Sequence, residues 1–144
     1  MIKINYGAVV VAAIAAFVMG AVWYSPVLFG NTYMTLRGIS TGAIAETNPP
    51  PAVLIAEFVR CLIVAYVLAR FVVRLKVVGW MDALLLGAWV WLGFQAMAIV
   101  GSVIHENYPW QLYAIHAGDA LVKTLLITVI LAVWRKRQPS SKGA

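Results

Sequence analysis

Three residues carry ionisable chemistry where the surrounding sequence has almost none: His116, Asp119 and Lys123 lie within the apolar stretch Leu112 to Trp134. Their spacing of i, i+3 and i+7 stacks them on one stripe of an α-helix. Asp119 and Lys123 are placed to pair, and an imidazole that titrates near neutrality can exchange a proton with the carboxylate. Glu57 and Arg60 sit inside a second apolar stretch, Ala52 to Val73, and Gln95 is the one strongly polar residue between Ala83 and Ile104. Such a set can bind or pass a small ion, a proton or a polar solute in a partly hydrated cavity. Metal or haem ligation by His105, His116, Glu57 and Asp119 is the other chemistry these types allow, but their spacing matches no established ligand motif, so no metal and no cofactor is expected. No Gly-rich phosphate loop, nucleophile elbow or paired-cysteine motif occurs.

The setting decides how costly these groups are. Of 144 residues, 63% are hydrophobic and 11% charged, against about 45–50% apolar and about 25% charged in soluble domains. Charges are confined to short stretches between long apolar runs, which describes a membrane protein. A net charge of +6 invites a nucleic-acid partner, yet the basic residues cluster at the ends of apolar runs and form no aromatic-interleaved patch, so none is expected. Cys61 is the single cysteine, which excludes an intramolecular disulfide.

Four stretches, about 4–25, 52–73, 83–104 and 112–134, are long enough to cross roughly 30 Å of hydrocarbon as helices. The expected fold is all-α: a polytopic membrane protein built as a four-transmembrane-helix bundle, one domain over 1–138, with a polar cytoplasmic tail over 139–144. In the first span Ala8, Ala12, Ala16 and Gly20 form a smooth ridge for close helix packing. Trp23 and Tyr24 favour the membrane interface, and Pro26 ends or kinks the helix. Phe29, Tyr33 and Leu36, at i, i+4 and i+7, predict a short outer interfacial helix within Val27 to Leu36. Gly42 to Asn48 reads as loop, and Pro49-Pro50-Pro51 as a stiff spacer before the second span. Asp82 is placed to cap the third span, in which Gly87, Gly93 and Gly101 offer small-residue contacts and Trp89, Trp91 and Phe94 an aromatic packing group. His105 to Gln111 reads as a short turn.

The run Gly20-Ala-Val-Trp23-Tyr24-Ser25-Pro26-Val-Leu-Phe29-Gly30, followed by Tyr33-Met34, resembles the N-terminal signature of the small integral membrane family known as domain of unknown function 1761. Gly118 and Ala132-Val133-Trp134-Arg135 are similar to that family's end. The resemblance covers nearly the whole chain and implies the four-span fold, but no activity. Asp119 and Lys123 depart from the more apolar last helix that it implies.

With four spans, both termini share a side with the connection between spans two and three. That side carries Lys3, Arg70, Arg74, Lys76, Arg135, Lys136, Arg137 and Lys142, the other only Arg37. The positive-inside rule therefore places the termini in the cytoplasm and the chain in the cell (cytoplasmic) membrane. So strong a bias argues against small exporters that insert in both orientations, and the first span lacks the acidic residue of small multidrug exporters. At 1.5 Å per residue, Glu57 and Asp119 fall at similar depth, with Arg60 and Lys123 one turn further in, Gln95 near the same layer and His116 above it.

Each unpaired charge at such depth costs about 2.5–3.5 kcal/mol. Pairs are therefore expected within a helix (Glu57 with Arg60, Asp119 with Lys123) or between helices (Glu57 with Lys123, Arg60 with Asp119). The favoured reading is a channel-like or transport protein whose polar cluster opens to the outer side and takes a small ion or polar solute. An accessory or assembly subunit, with the pairs as interhelical glue, is the alternative, although such contacts contribute only about 0.6 kcal/mol each. A membrane-embedded enzyme has the least support. Lipid is the obligatory partner, and a homo-oligomer or a membrane partner subunit suits every reading because four short spans enclose little volume.

Overall fold

The computed structural model describes residues 3–38 and 49–134; the expected loop over Gly42 to Asn48, the basic run Arg135 to Arg137 and the tail 139–144 lie outside the described residues. Among the described residues every element is a helix: α1 (Tyr6–Trp23), α2 (Gly30–Leu36), α3 (Pro51–Arg74), α4 (Gly79–Val90), a π-helical segment (Trp91–Ala96), α5 (Met97–Glu106) and α6 (Trp110–Val133). The segments from α4 to α5 run on as one rod, Gly79–Glu106, so that four helices are long and apolar enough to cross a membrane. The protein is a four-helix membrane bundle, with α2 as its short additional helix.

Local chemistry sets the helix ends. Asn5 caps α1 by accepting from the Ala8 backbone N–H at 3.4 Å, and its Nδ2 donates to the Trp134 carbonyl at 3.1 Å, tying the start of α1 to the end of α6. Pro51 occupies the first turn of α3, where its missing N–H needs no partner. Gly79, at φ 79°, swings the chain sharply out of the α3–α4 turn. Consequently α4 starts before Asp82, which lies in its first turn and favours the helix dipole rather than capping the helix as expected. Asn107 adopts the left-handed conformation, φ 52°, and ends α5, so the reversal into α6 is tighter than the expected His105 to Gln111 turn.

The last helix is the hub: α6 packs on α1, α3 and α4, whereas α3 packs on α1 and α6 without substantial packing on the α4–α5 rod. The α1 ridge is realised, with Ala8, Ala12, Ala16 and Gly20 all buried. The three alanines share one buried cluster with Ala65, Leu68, Ala69 and Val72 of α3 and Ile127 and Leu131 of α6. Because lipid tails are as apolar as leucine, close backbone approach rather than hydrophobic burial holds such helices together. Of the three glycines expected to make contacts in the third span, only Gly87 does so. A Cβ there would lie 2.8 Å from Thr128 Oγ1, whereas Gly93 and Gly101 face open space.

The expected helix over Val27 to Leu36 begins only at Gly30, because residues 25–29 are consumed by a turn. In that turn the Phe29 N–H donates to the Trp23 carbonyl at 3.1 Å and the Gly30 N–H to the Ser25 carbonyl at 2.9 Å. A Cβ on Gly30 would press on the Tyr24 carbonyl oxygen and come within 2.7 Å of the Ser25 carbonyl carbon. Backbone atoms cannot step aside as a flexible side chain can. Gly30→Ala is therefore expected to destabilise the protein by about 1–3 kcal/mol, the usual cost of overpacking. Gly93→Ala, in open space, should be neutral or stabilise by up to about 1 kcal/mol. Thermal unfolding of both variants in detergent checks the contrast.

Candidate functional site

The residues following α1 build the rim of the site. Trp23 and Tyr24, expected at the membrane interface, turn onto α6. Trp23 Nε1 donates to the Ile115 carbonyl at 3.0 Å, and a Cβ on Gly118 would come within 2.8 Å of the Trp23 ring. Phe29 packs against the same indole with ring centroids 4.7 Å apart. An indole N–H in an apolar bundle needs an acceptor, and Gly118 clears the surface on which it finds one. From the third span, Trp91 makes the matching contact, Nε1 donating to the Ala117 carbonyl at 2.8 Å. Trp91 thus leaves the expected aromatic packing group, whereas Trp89 and Phe94 remain exposed.

His116 sits among tyrosines. Its Nδ1 is 2.6 Å from the Tyr24 hydroxyl, and its ring packs against Tyr33 and Tyr108 at centroid distances of 5.5 and 6.2 Å. The expected proton exchange with Asp119 has no direct hydrogen bond among the described residues, because Tyr24 reaches the imidazole from the end of α1. Arg37 Nη1 donates to the Tyr33 hydroxyl at 2.9 Å, and that bond holds the guanidinium pKa above its ordinary value. Burial raises the Tyr108 phenol, which stays neutral at ordinary pH.

Deeper along α6 lies the charged centre. Lys123 Nζ is 2.9 Å from Asp119 Oδ2 and 3.4 Å from Glu57 Oε1. Arg60 grips Glu57 with two hydrogen bonds, Nε to Oε2 at 2.9 Å and Nη2 to Oε1. Three of the four expected pairings therefore form. Arg60 with Asp119 is absent from the ion pairs of the described residues, since Glu57 one turn away occupies the guanidinium. The Asp119 and Lys123 side chains are each 9% exposed, against 35% for Glu57 and 58% for Arg60. Gly20 leaves room for the ammonium: a Cβ there would lie 2.6 Å from Lys123 Nζ and the lysine tip would have to shift. Asp119 Oδ1 is buried without a hydrogen-bond partner among the described residues. Gln95 joins the layer as expected, its Oε1 accepting from Thr124 Oγ1 at 2.8 Å.

All six expected residues, Glu57, Arg60, Gln95, His116, Asp119 and Lys123, line one cleft of about 1120 Å³. Its lining runs from Tyr33 and Tyr108, at the end of the bundle that holds α2 and the α5–α6 turn, past the charged centre, and its walls include Val53 and Leu54 of α3 and Phe94 and Ile99 of the third span. At its base lie Thr124 and Ile127, both 1% exposed. Tyr33, Ser102, Tyr108 and Thr124 also line the cleft and were not expected there. Tyr33 carried a signal in its i, i+4 spacing from Phe29. Tyr108 lay in a turn, where aromatics ordinarily mark the interface, and neither Ser102 nor Thr124 stood out. Among the described residues no three His, Cys, Asp or Glu side chains come together to hold a metal ion.

A family model described as "Protein of unknown function (DUF1761)" matches residues 7–132, a range that takes in nearly all of the four crossing helices. No curated protein and no solved structure matches the chain.

The buried ammonium supplies a direct test of the charged centre. Lys123→Met leaves the Asp119 carboxylate nine-tenths buried with neither oxygen paired, and a loss of about 3–5 kcal/mol is expected. Combining it with Asp119→Asn removes the stranded charge and should restore at least half of that loss. Thermal denaturation of the single and double variants in detergent reads both effects.

Proposed function

This chain belongs to the DUF1761 family, and from that premise we propose that it binds a small ion or polar solute in the cleft, as a transport-type protein open at one end. The observation that carries this reading is the exposure of Arg60. Its side chain is 58% exposed at about 14 Å from the start of α3, counting 1.5 Å per residue. Facing lipid there, it would cost about 2.5–3.5 kcal/mol even on the lenient insertion scale. A hydrated cleft removes that cost.

The pairing pattern supports the same reading. Asp119–Lys123 and Glu57–Arg60 each lie within one helix, and only Lys123–Glu57 joins two. Interhelical glue calls for the opposite arrangement. Beneath the charged centre the buried Thr124, Ile127 and Thr128 and the alanine ridge close the bundle, which favours a one-ended binding site over a continuous pore. The two carboxylates and two cations balance, so a solute is selected by hydrogen bonding more than by net charge. Asp119 Oδ1, a buried acceptor without a donor, favours a solute that brings an N–H or O–H. The excess of basic residues on the side of the termini favours a cytoplasmic location for them, and in that orientation the cleft faces the outer side of the cytoplasmic membrane.

A second reading rests on Phe94, 74% exposed beside the gap between α3 and the α4–α5 rod. There a second copy or a partner subunit would cover the cleft instead of water. Cysteine accessibility separates the two. In a Cys61→Ser background, Arg60→Cys and Gln95→Cys should react with a membrane-impermeant thiol reagent added outside intact cells at least about tenfold faster than Thr128→Cys, as hydration of the cleft alone requires. If neither of these two positions reacts while Arg60→Cys crosslinks between copies, the solute-binding reading fails and the covered interface replaces it.

A further inference from the structure

At the opposite end of the bundle, where α1 begins and α3 ends, a second groove of about 680 Å³ is walled by Lys3, Tyr6, Arg70 and Arg74 with the apolar Ile4 and Phe71. Arg70 and Arg74 are four residues apart on α3 and so share one face. Lys3 approaches from the segment before α1. None of the three cations has an ion-pair partner among the described residues, and no carboxylate lines the groove. Three converging basic side chains repel one another, and the polar cleft is too far along the bundle to compensate them. Their arrangement is satisfied by an anion. We propose that this groove is a binding site for a phosphate group, and specifically for the headgroup phosphate of an anionic phospholipid.

Two features favour a lipid over free phosphate. The groove lies at the ends of two spanning helices, the depth at which headgroups reside. Its apolar side is also continuous with the exposed flank of α3, where Phe71 and Val67 can accompany an acyl chain. A groove of this volume accommodates a glycerophosphate headgroup with room for part of a chain. Guanidinium groups suit the role because their planar donor pairs match phosphate oxygens. Basic residues on cytoplasmic loops in general attract anionic lipid, so the specific claim is that Arg70, Arg74 and Lys3 act together as one site while the nearby Lys76, outside the groove, does not.

Titration of phosphatidylglycerol against the purified full-length protein, followed by native mass spectrometry, tests the site, with phosphatidylcholine as the neutral control. Each basic residue near an anionic headgroup is worth about a fivefold change in affinity. Arg70→Gln combined with Arg74→Gln should thus weaken phosphatidylglycerol binding about thirtyfold, and Lys3→Gln, which lies outside every helix, about fivefold. Lys76→Asn, chosen to tolerate the left-handed backbone at that position, should change it less than about twofold. Equal losses for Lys76→Asn and the groove variants, or unchanged binding in Lys3→Gln, would overturn the site. Displacement of phosphatidylglycerol by inorganic phosphate at constant ionic strength would overturn the lipid assignment and leave a site for free phosphate.

Discussion

An ammonium group buried among apolar helices dictates what its neighbours must be. Lys123 is nine-tenths buried, and its charge is tolerable only because Asp119 lies one turn back along α6 and Glu57 reaches it from α3. Space is as necessary as charge. The Lys123 side chain occupies the volume that any side chain at Gly20 would need, so the α1 ridge has two tasks: alanines that let helices touch over its first half, and a glycine that admits the ammonium near its end. Arg60 then offsets the second face of Glu57, and the four charges sum to zero. Remove any one of these features and the remaining three are in the wrong dielectric.

Two indole N–H groups frame that centre. Trp23 and Trp91 come from different helices and donate to carbonyls two residues apart on α6, fixing α1 and the α4–α5 rod against the hub just above Asp119. The first turns of α3 have no equivalent anchor among the described residues. Their residues from Pro51 to Ala56 are all exposed, while the later part of the same helix is held by Cys61, Ala65, Leu68 and Ala69. A helix pinned at one end and unpinned at the other produces a wedge, and the wedge is the cleft. Its polar lining is therefore a consequence of where the anchors stop.

The architecture was legible in the sequence because it depends on little more than run length and rise per residue. Apolar stretches of about twenty residues fix the spans, and 1.5 Å per residue brings Glu57 level with Asp119 and within a turn of Lys123, closely enough for Glu57 and Lys123 to meet. What failed to show was anything decided by side-chain direction. The bonds of Trp23 and Tyr24 to α6 left no separate signal, because the same amphipathic chemistry serves a headgroup or a neighbouring polar group equally well. His116 shares a stripe with Asp119, yet its partner arrives from another helix. Gly87 and Gly93 look alike until α6 is placed beside one of them, and the π-helical segment at Trp91 leaves no mark in composition or periodicity.

Stability alone does not account for the charged centre. Buried ion pairs seldom improve on a well-packed apolar replacement, because desolvation cancels most of the attraction. Asp119–Lys123 adds no cross-link between helices, and among the described residues Asp119 Oδ1 has no donor. The helices already have an adequate basis for association in the alanine ridge, the Gly87–Thr128 contact and the two indole bonds. An α6 without these charges would pack at least as well on the same neighbours. A centre that costs stability, has room made for it by a glycine, and adjoins a cleft large enough for a solute fits the binding role proposed for it better than a purely structural one.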